Sequence, residues 1–147
     1  MGVPDVPRQN LNELAVANLL VRRTVLIAQA LADAGATFII ENPPDRGDGP
    51  LYQAKFASHA PLWLVPEMVE LVQRTGARMI TFPQCALGSK YQKWTSLLVS
   101  PELEPFLRDL GSLACQHPHG HPAVAVGADS ARAAATGRRA ARAEAVL

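Results

Sequence analysis

The sequence predicts an α/β layer fold, and three observations carry that expectation. Residues 11–34 form one long apolar segment with helical spacing. Two short β-rich runs, Thr37–Glu41 and Arg78–Phe82, are each cut off by proline. A third short run follows at Thr95–Val99, which gives the order helix, strand, helix, strand, strand, short helix.

Each element has a local cause. Pro4 and Pro7 mark an extended lead-in, after which Asn10 stands as N-cap with Glu13 three residues on, the spacing of a capping box. In the helix that follows, Asn18, Arg22, Gln29 and Asp33 share a narrow polar stripe, and leucines, valines and an isoleucine cover most of the rest. Such a helix is expected to be buried on more than one side. Gly35 ends it. The run Thr37–Glu41 is too short for a helix and stops at Asn42-Pro43-Pro44, so it reads as a buried, parallel strand. Residues 45–61 read as a loop rich in Gly, Pro and Asp that holds Tyr52, Phe56 and His59. Pro66 opens a second helix, which Gly76 closes. The strand Arg78–Phe82 ends at Pro83, and the loop after it is too short for a helical crossover. The strand Thr95–Val99 is therefore expected to return antiparallel, between the other two. A short helix near Glu102–Leu110 completes the fold, despite Pro105.

Composition narrows the function classes. Among 147 residues, 48% are apolar and 18% charged, which suits a packed core rather than wholesale disorder. The net charge of +1 excludes a strongly basic, histone-like protein, and two cysteines cannot build a disulfide-dense scaffold. No apolar run approaches the ~18 residues of a membrane span, and the first residues lack a signal peptide's pattern. The expectation is a soluble intracellular protein without a membrane partner. Residues 122–147 hold eleven alanines and four arginines but no Ile, Phe, Tyr or Trp. They read as a disordered tail after a folded unit at 1–121, although Arg138, Arg139 and Arg142 could touch phosphate.

Three constellations carry chemistry. Glu41-Asn42-Pro43 places a carboxylate where a strand leaves the sheet, the edge at which open α/β sheets bind ligands. An exposed strand-end Glu before a turn is the plainer alternative. Gln84, Cys85, Gly88, Lys93 and Thr95 combine a tight backbone with an amide, a cation and a hydroxyl suited to phosphate or carboxylate. Cys85 itself reads as a buried structural thiol rather than a nucleophile. In the run from Cys115 to His121, Cys115 with His117, His119 and His121 could converge on zinc, but the single short segment fits a polar loop better, and no metal is assigned. There is no Gly-rich phosphate loop, G-x-S-x-G elbow or H-E-x-x-H.

Taken together, Glu41-Asn42-Pro43, Trp63 and Pro66, the C-x-x-G of Cys85–Gly88, the K-x-T of Lys93–Thr95, then Cys115 and His119 or His121 resemble cytosine-5 DNA methyltransferase-like proteins over residues 8–121. The resemblance implies the C-terminal half of a class I methyltransferase domain: a partial Rossmann-like sheet of two parallel strands plus one antiparallel strand, with flanking helices. It implies that Glu41 is catalytic, binding the ring nitrogen and exocyclic amine of a flipped cytosine, with Asn42, Pro43, Gln84, Lys93 and Thr95 around the substrate. Pro43 departs from the valine usual there. The family's Gly-rich S-adenosylmethionine motif and Pro-Cys nucleophile belong upstream of Glu41, where nothing matches them. S-adenosylmethionine is thus the implied cofactor, not bound well by these residues alone. DNA and a missing N-terminal half are the implied partners, and methylation without that half is not expected. Two further classes stay open: a nucleic-acid-binding module using Lys90, Lys93, Trp94 and the arginine tail, and a zinc-stabilised interaction domain built on Cys115 and the histidines.

Overall fold

A computed structural model describes residues 8–57, 60–91, 93–117 and 121. After a 3-10 turn at Arg8–Asn10, the chain forms α1 (Leu11–Asp33), β1 (Ile39–Asn42), α2 (Pro66–Thr75), β2 (Arg78–Pro83), β3 (Trp94–Val99) and the short α3 (Glu104–Leu107). A 3-10 stretch at Arg108–Ser112 continues α3.

The three strands form one sheet in the order β1-β3-β2. Ile39 pairs with Val99 and Asn42 with Ser96 on one side of β3, while Arg78 pairs with Val99 and Pro83 with Trp94 on the other. Both ladders are antiparallel, so β1 and β2 run the same way with β3 between them. The central, reversed position of the third strand agrees with the sequence. The expected parallel pairing of the first strand does not form: among the described residues no two strands are bonded in parallel, because β3 separates the two that share a direction. The architecture is mixed α/β with a three-stranded antiparallel sheet.

Side chains alternate across the sheet, and each face has its own core. On one face Ile40 and Leu98 join Val25 and Ala28 of α1, Met68 and Leu71 of α2, and Phe38 and Ala77. On the other, Ile80, Phe82 and Val99 pack against Leu103, Leu107, Leu110 and Leu113. Beyond the last ladder pair, the Ser100 N–H donates to Phe38 O at 3.1 Å and holds the two chain segments together.

Local chemistry explains the boundaries. Asn10 precedes α1 as expected, but it has helical backbone angles and makes no side-chain cap bond, so the capping box is not formed. Pro66 occupies the first turn of α2 and Gly76 ends it at φ 70°. Glu67, in that first turn, is held below the usual carboxylate range by a backbone hydrogen bond, with Arg22 of α1 adding to the effect at 3.2 Å. Its contribution to stability is present above the ordinary carboxylate pKa and is lost as pH falls through the lowered one. The expected helix at Glu102–Leu110 is shorter, because Pro105 lies in its first turn and the chain then tightens to a 3-10 stretch. The 45–61 loop contains 3-10 turns at Gly49–Leu51 and Ala54–Phe56.

Helix α1 differs most from expectation. Only Val25 and Ala28 are buried, while Leu11, Val16, Leu19, Leu20, Leu26, Ile27 and Leu31 are exposed. An apolar circumference is buried only where a neighbour covers it, and the part of α1 that is covered, at Val25 and Ala28, packs with α2 and the sheet. By length and composition α1 could cross a membrane, contrary to the expectation that no apolar segment is long enough. Its pairing with Glu67 and its place in the core nevertheless dock it on the folded unit. His59, His119 and the 122–147 tail lie outside the described residues.

Gly76 offers a test of this frame. A Cβ there would meet only Pro101 Cγ, at an ordinary 3.7 Å, so the cost of Gly76→Ala comes from its left-handed backbone. The substitution is expected to remove about 1–2 kcal/mol. Chemical denaturation checks this, and an unchanged midpoint would contradict the role given to the residue.

Candidate functional site

The carboxyl ends of β1 and β2 and the start of β3 meet at one end of the sheet. Glu41 lies opposite Leu97 on β3, so Thr95 is its diagonal neighbour on the same face. Thr95 Oγ1 donates to Glu41 Oε1 at 3.2 Å and accepts from Gln84 Nε2 at 2.8 Å. Lys93 Nζ approaches the same carboxylate oxygen at 3.5 Å. Four of the residues singled out from sequence thus form one chain of contacts.

The backbone makes this arrangement possible. Pro83 ends β2, and Gln84 N–H donates to Lys93 O at 2.8 Å, which closes the loop on itself. Gly88 turns it at φ 93° after the 3-10 turn Gln84–Leu87. Trp63 Nε1 donates to Pro43 O at 2.9 Å and fixes the chain just after β1. Asn42 pairs with Ser96, so the alternation of the strand places it on the face opposite Glu41. Pro43 is exposed, and its contribution is this backbone carbonyl.

Thr95 is buried, at 2% exposure, whereas the Glu41 and Lys93 side chains are 47% and 44% exposed. An ion pair so exposed contributes about 0–1 kcal/mol. The strength of the site therefore lies in arrangement: a carboxylate on the surface, backed by a buried hydroxyl, an amide and a cation. It can receive a ligand edge that presents both a donor and an acceptor. Both contacts of Glu41 fall on Oε1; among the described residues Oε2 has no hydrogen bond.

S-adenosylmethionine does not fit the described residues. β1 runs into Asn42-Pro43-Pro44 and β2 into Pro83 and a 3-10 turn, and neither is followed by a Gly-rich turn into a helix.

Cys85 does not join Glu41. Its thiol lies instead with Cys115, His117 and His121, the four ligand atoms all within 4.8 Å of one another. Cys115 Sγ is 3.0 Å from His121 Nε2 and 3.6 Å from His117 Nδ1. The hydrogen bond with His121 pulls the Cys115 thiol down to about 6 and raises His121, while burial pushes the Cys85 thiol up. Reading the sequence alone misses Cys85 as a member of this group. The signal that could have found it was a second thiol in a separate element, paired with the H-x3-H spacing of His117 and His121.

No family model matches the chain, and neither a curated protein nor a solved structure matches it.

Proposed function

We propose that the chain is the C-terminal half of a DNA cytosine-5 methyltransferase-like domain, with Glu41 as the group that receives the cytosine edge. The observation that carries this reading is the convergence of Glu41, Thr95, Lys93 and Gln84 at the carboxyl end of the sheet. A carboxyl group can engage the ring nitrogen of cytosine with one oxygen and accept from its exocyclic amine with the other. Thr95 and Gln84 hold that group in place, and Lys93 supplies a cation beside it. The strand order β1-β3-β2, with β3 reversed, is compatible with the second half of a Rossmann-like methyltransferase sheet. The outer edge of β1 and the exposed apolar residues of α1 offer a surface for the cofactor-binding half.

Single-stranded oligonucleotides that differ only in cytosine or thymine test the reading. Cytosine is expected to shift the amide resonances of Glu41, Lys93 and Thr95 and to bind more tightly by about 1–3 kcal/mol. Glu41→Gln is expected to erase that preference. Equal binding of both oligonucleotides by the native chain, with affinity falling steeply in salt, would replace this reading with simple phosphate binding by Lys90 and Lys93.

A further inference from the structure

Cys85 follows β2 closely, in the 3-10 turn Gln84–Leu87, and Cys115, His117 and His121 come from the segment after Ser112. Metal sites commonly gather ligands from separated elements in this way. Two thiols and two imidazoles are the donor set of a closed, four-coordinate zinc site. With zinc bonds of ~2.0–2.3 Å, ligand atoms in a tetrahedron stand ~3.3–3.8 Å apart. The contacts of 3.0 and 3.6 Å at Cys115 lie close to that spacing, and since all four ligand atoms lie within 4.8 Å of one another, shifts of about 1 Å bring the set to it.

The surroundings supply what a metal-bound histidine requires. His121 Nδ1 lies 3.3 Å from Lys90 O, so a proton on Nδ1 can be donated to that carbonyl while Nε2 faces the thiols. Cys85 is buried and both cysteines are free, so neither sulfur is committed to a disulfide. Leu113 packs at the edge of the core beside β2, which brings the ligand segment back to the sheet.

We propose that Cys85, Cys115, His117 and His121 bind one structural zinc ion, which ties the C-terminal segment to the loop between β2 and β3. Gln84 adjoins one ligand, and Lys93 closes the same loop through its carbonyl. The ion thereby steadies the loop from which both reach the Glu41 site. With no open coordination position, it has no part in chemistry at Glu41.

The test uses the full chain, reduced and stripped of metal, titrated with Co2+ and then Zn2+. One Co2+ per chain is expected, with the strong visible absorption of tetrahedral cobalt and near-ultraviolet sulfur-to-cobalt bands, and Zn2+ should displace it. Cys85→Ser and Cys115→Ser should each lower the sulfur band per bound cobalt by about half. His121→Ala should weaken binding by more than the ~10–100-fold lost when an outer partner is removed. The native chain decides the matter even where a variant misfolds. Failure to saturate, an octahedral spectrum, or sulfur bands unchanged in both cysteine variants would overturn the proposal. None of these readouts depends on DNA or on Glu41.

Discussion

Leu98→Ala is expected to cost about 2–5 kcal/mol. Leu98 is fully buried, at 0% exposure, and sits on the central strand between Ile40 and Met79. It meets α1 and α2 through Val25, Ala28, Met68 and Leu71. Removing its side chain leaves a cavity bounded by two helices and two strands, and these cannot all close in upon it. Since small domains are stable by only about 5–15 kcal/mol, the loss is a large share of the total. Urea denaturation should show a lower midpoint with an unchanged slope. A change below about 1 kcal/mol would mean that the helices collapse onto the sheet far more readily than this packing allows.

Thr95→Val should cost about 1–3 kcal/mol, because it keeps the shape and removes the hydroxyl. That hydroxyl accepts from Gln84 and donates to Glu41. The buried oxygen is lost, Gln84 is left without its partner, and Glu41 keeps only the exposed contact with Lys93. Thr95→Ser retains both bonds and should restore most of the stability. The same pair of variants separates stability from positioning: valine should also blur the cytosine preference, whereas serine should preserve it. Equal stability of the valine variant and the native chain would remove Thr95 from its supporting role.

Much of the fold is legible in the sequence because prolines and glycines mark its boundaries. Gly76 stops α2 where expected, the strands before Pro43 and at Pro83 each run one residue further than expected, and the short loop before Thr95 dictates the reversed central strand. The grouping of Glu41 with Gln84, Lys93 and Thr95 follows from strand ends meeting at one edge. What local pattern does not supply is the identity of neighbours. The apolar circumference of α1 implies burial, yet burial depends on what else packs there. Cys85 reads as a structural thiol because its partners stand about thirty positions later in the chain, and only the return of the segment after Ser112 joins them.

The two cores have a consequence for how the molecule opens. One is backed by α1 and α2, the other by α3 and a 3-10 stretch. Short turns give up few hydrogen bonds when they detach, so the layer of Leu103, Leu107 and Leu110 can lift away while the opposite layer holds. Backbone amides of the shared sheet and of α2 then open only with the whole fold, and those within Glu104–Ser112 open earlier. The sheet is shared by both layers, but its two faces need not part from them together.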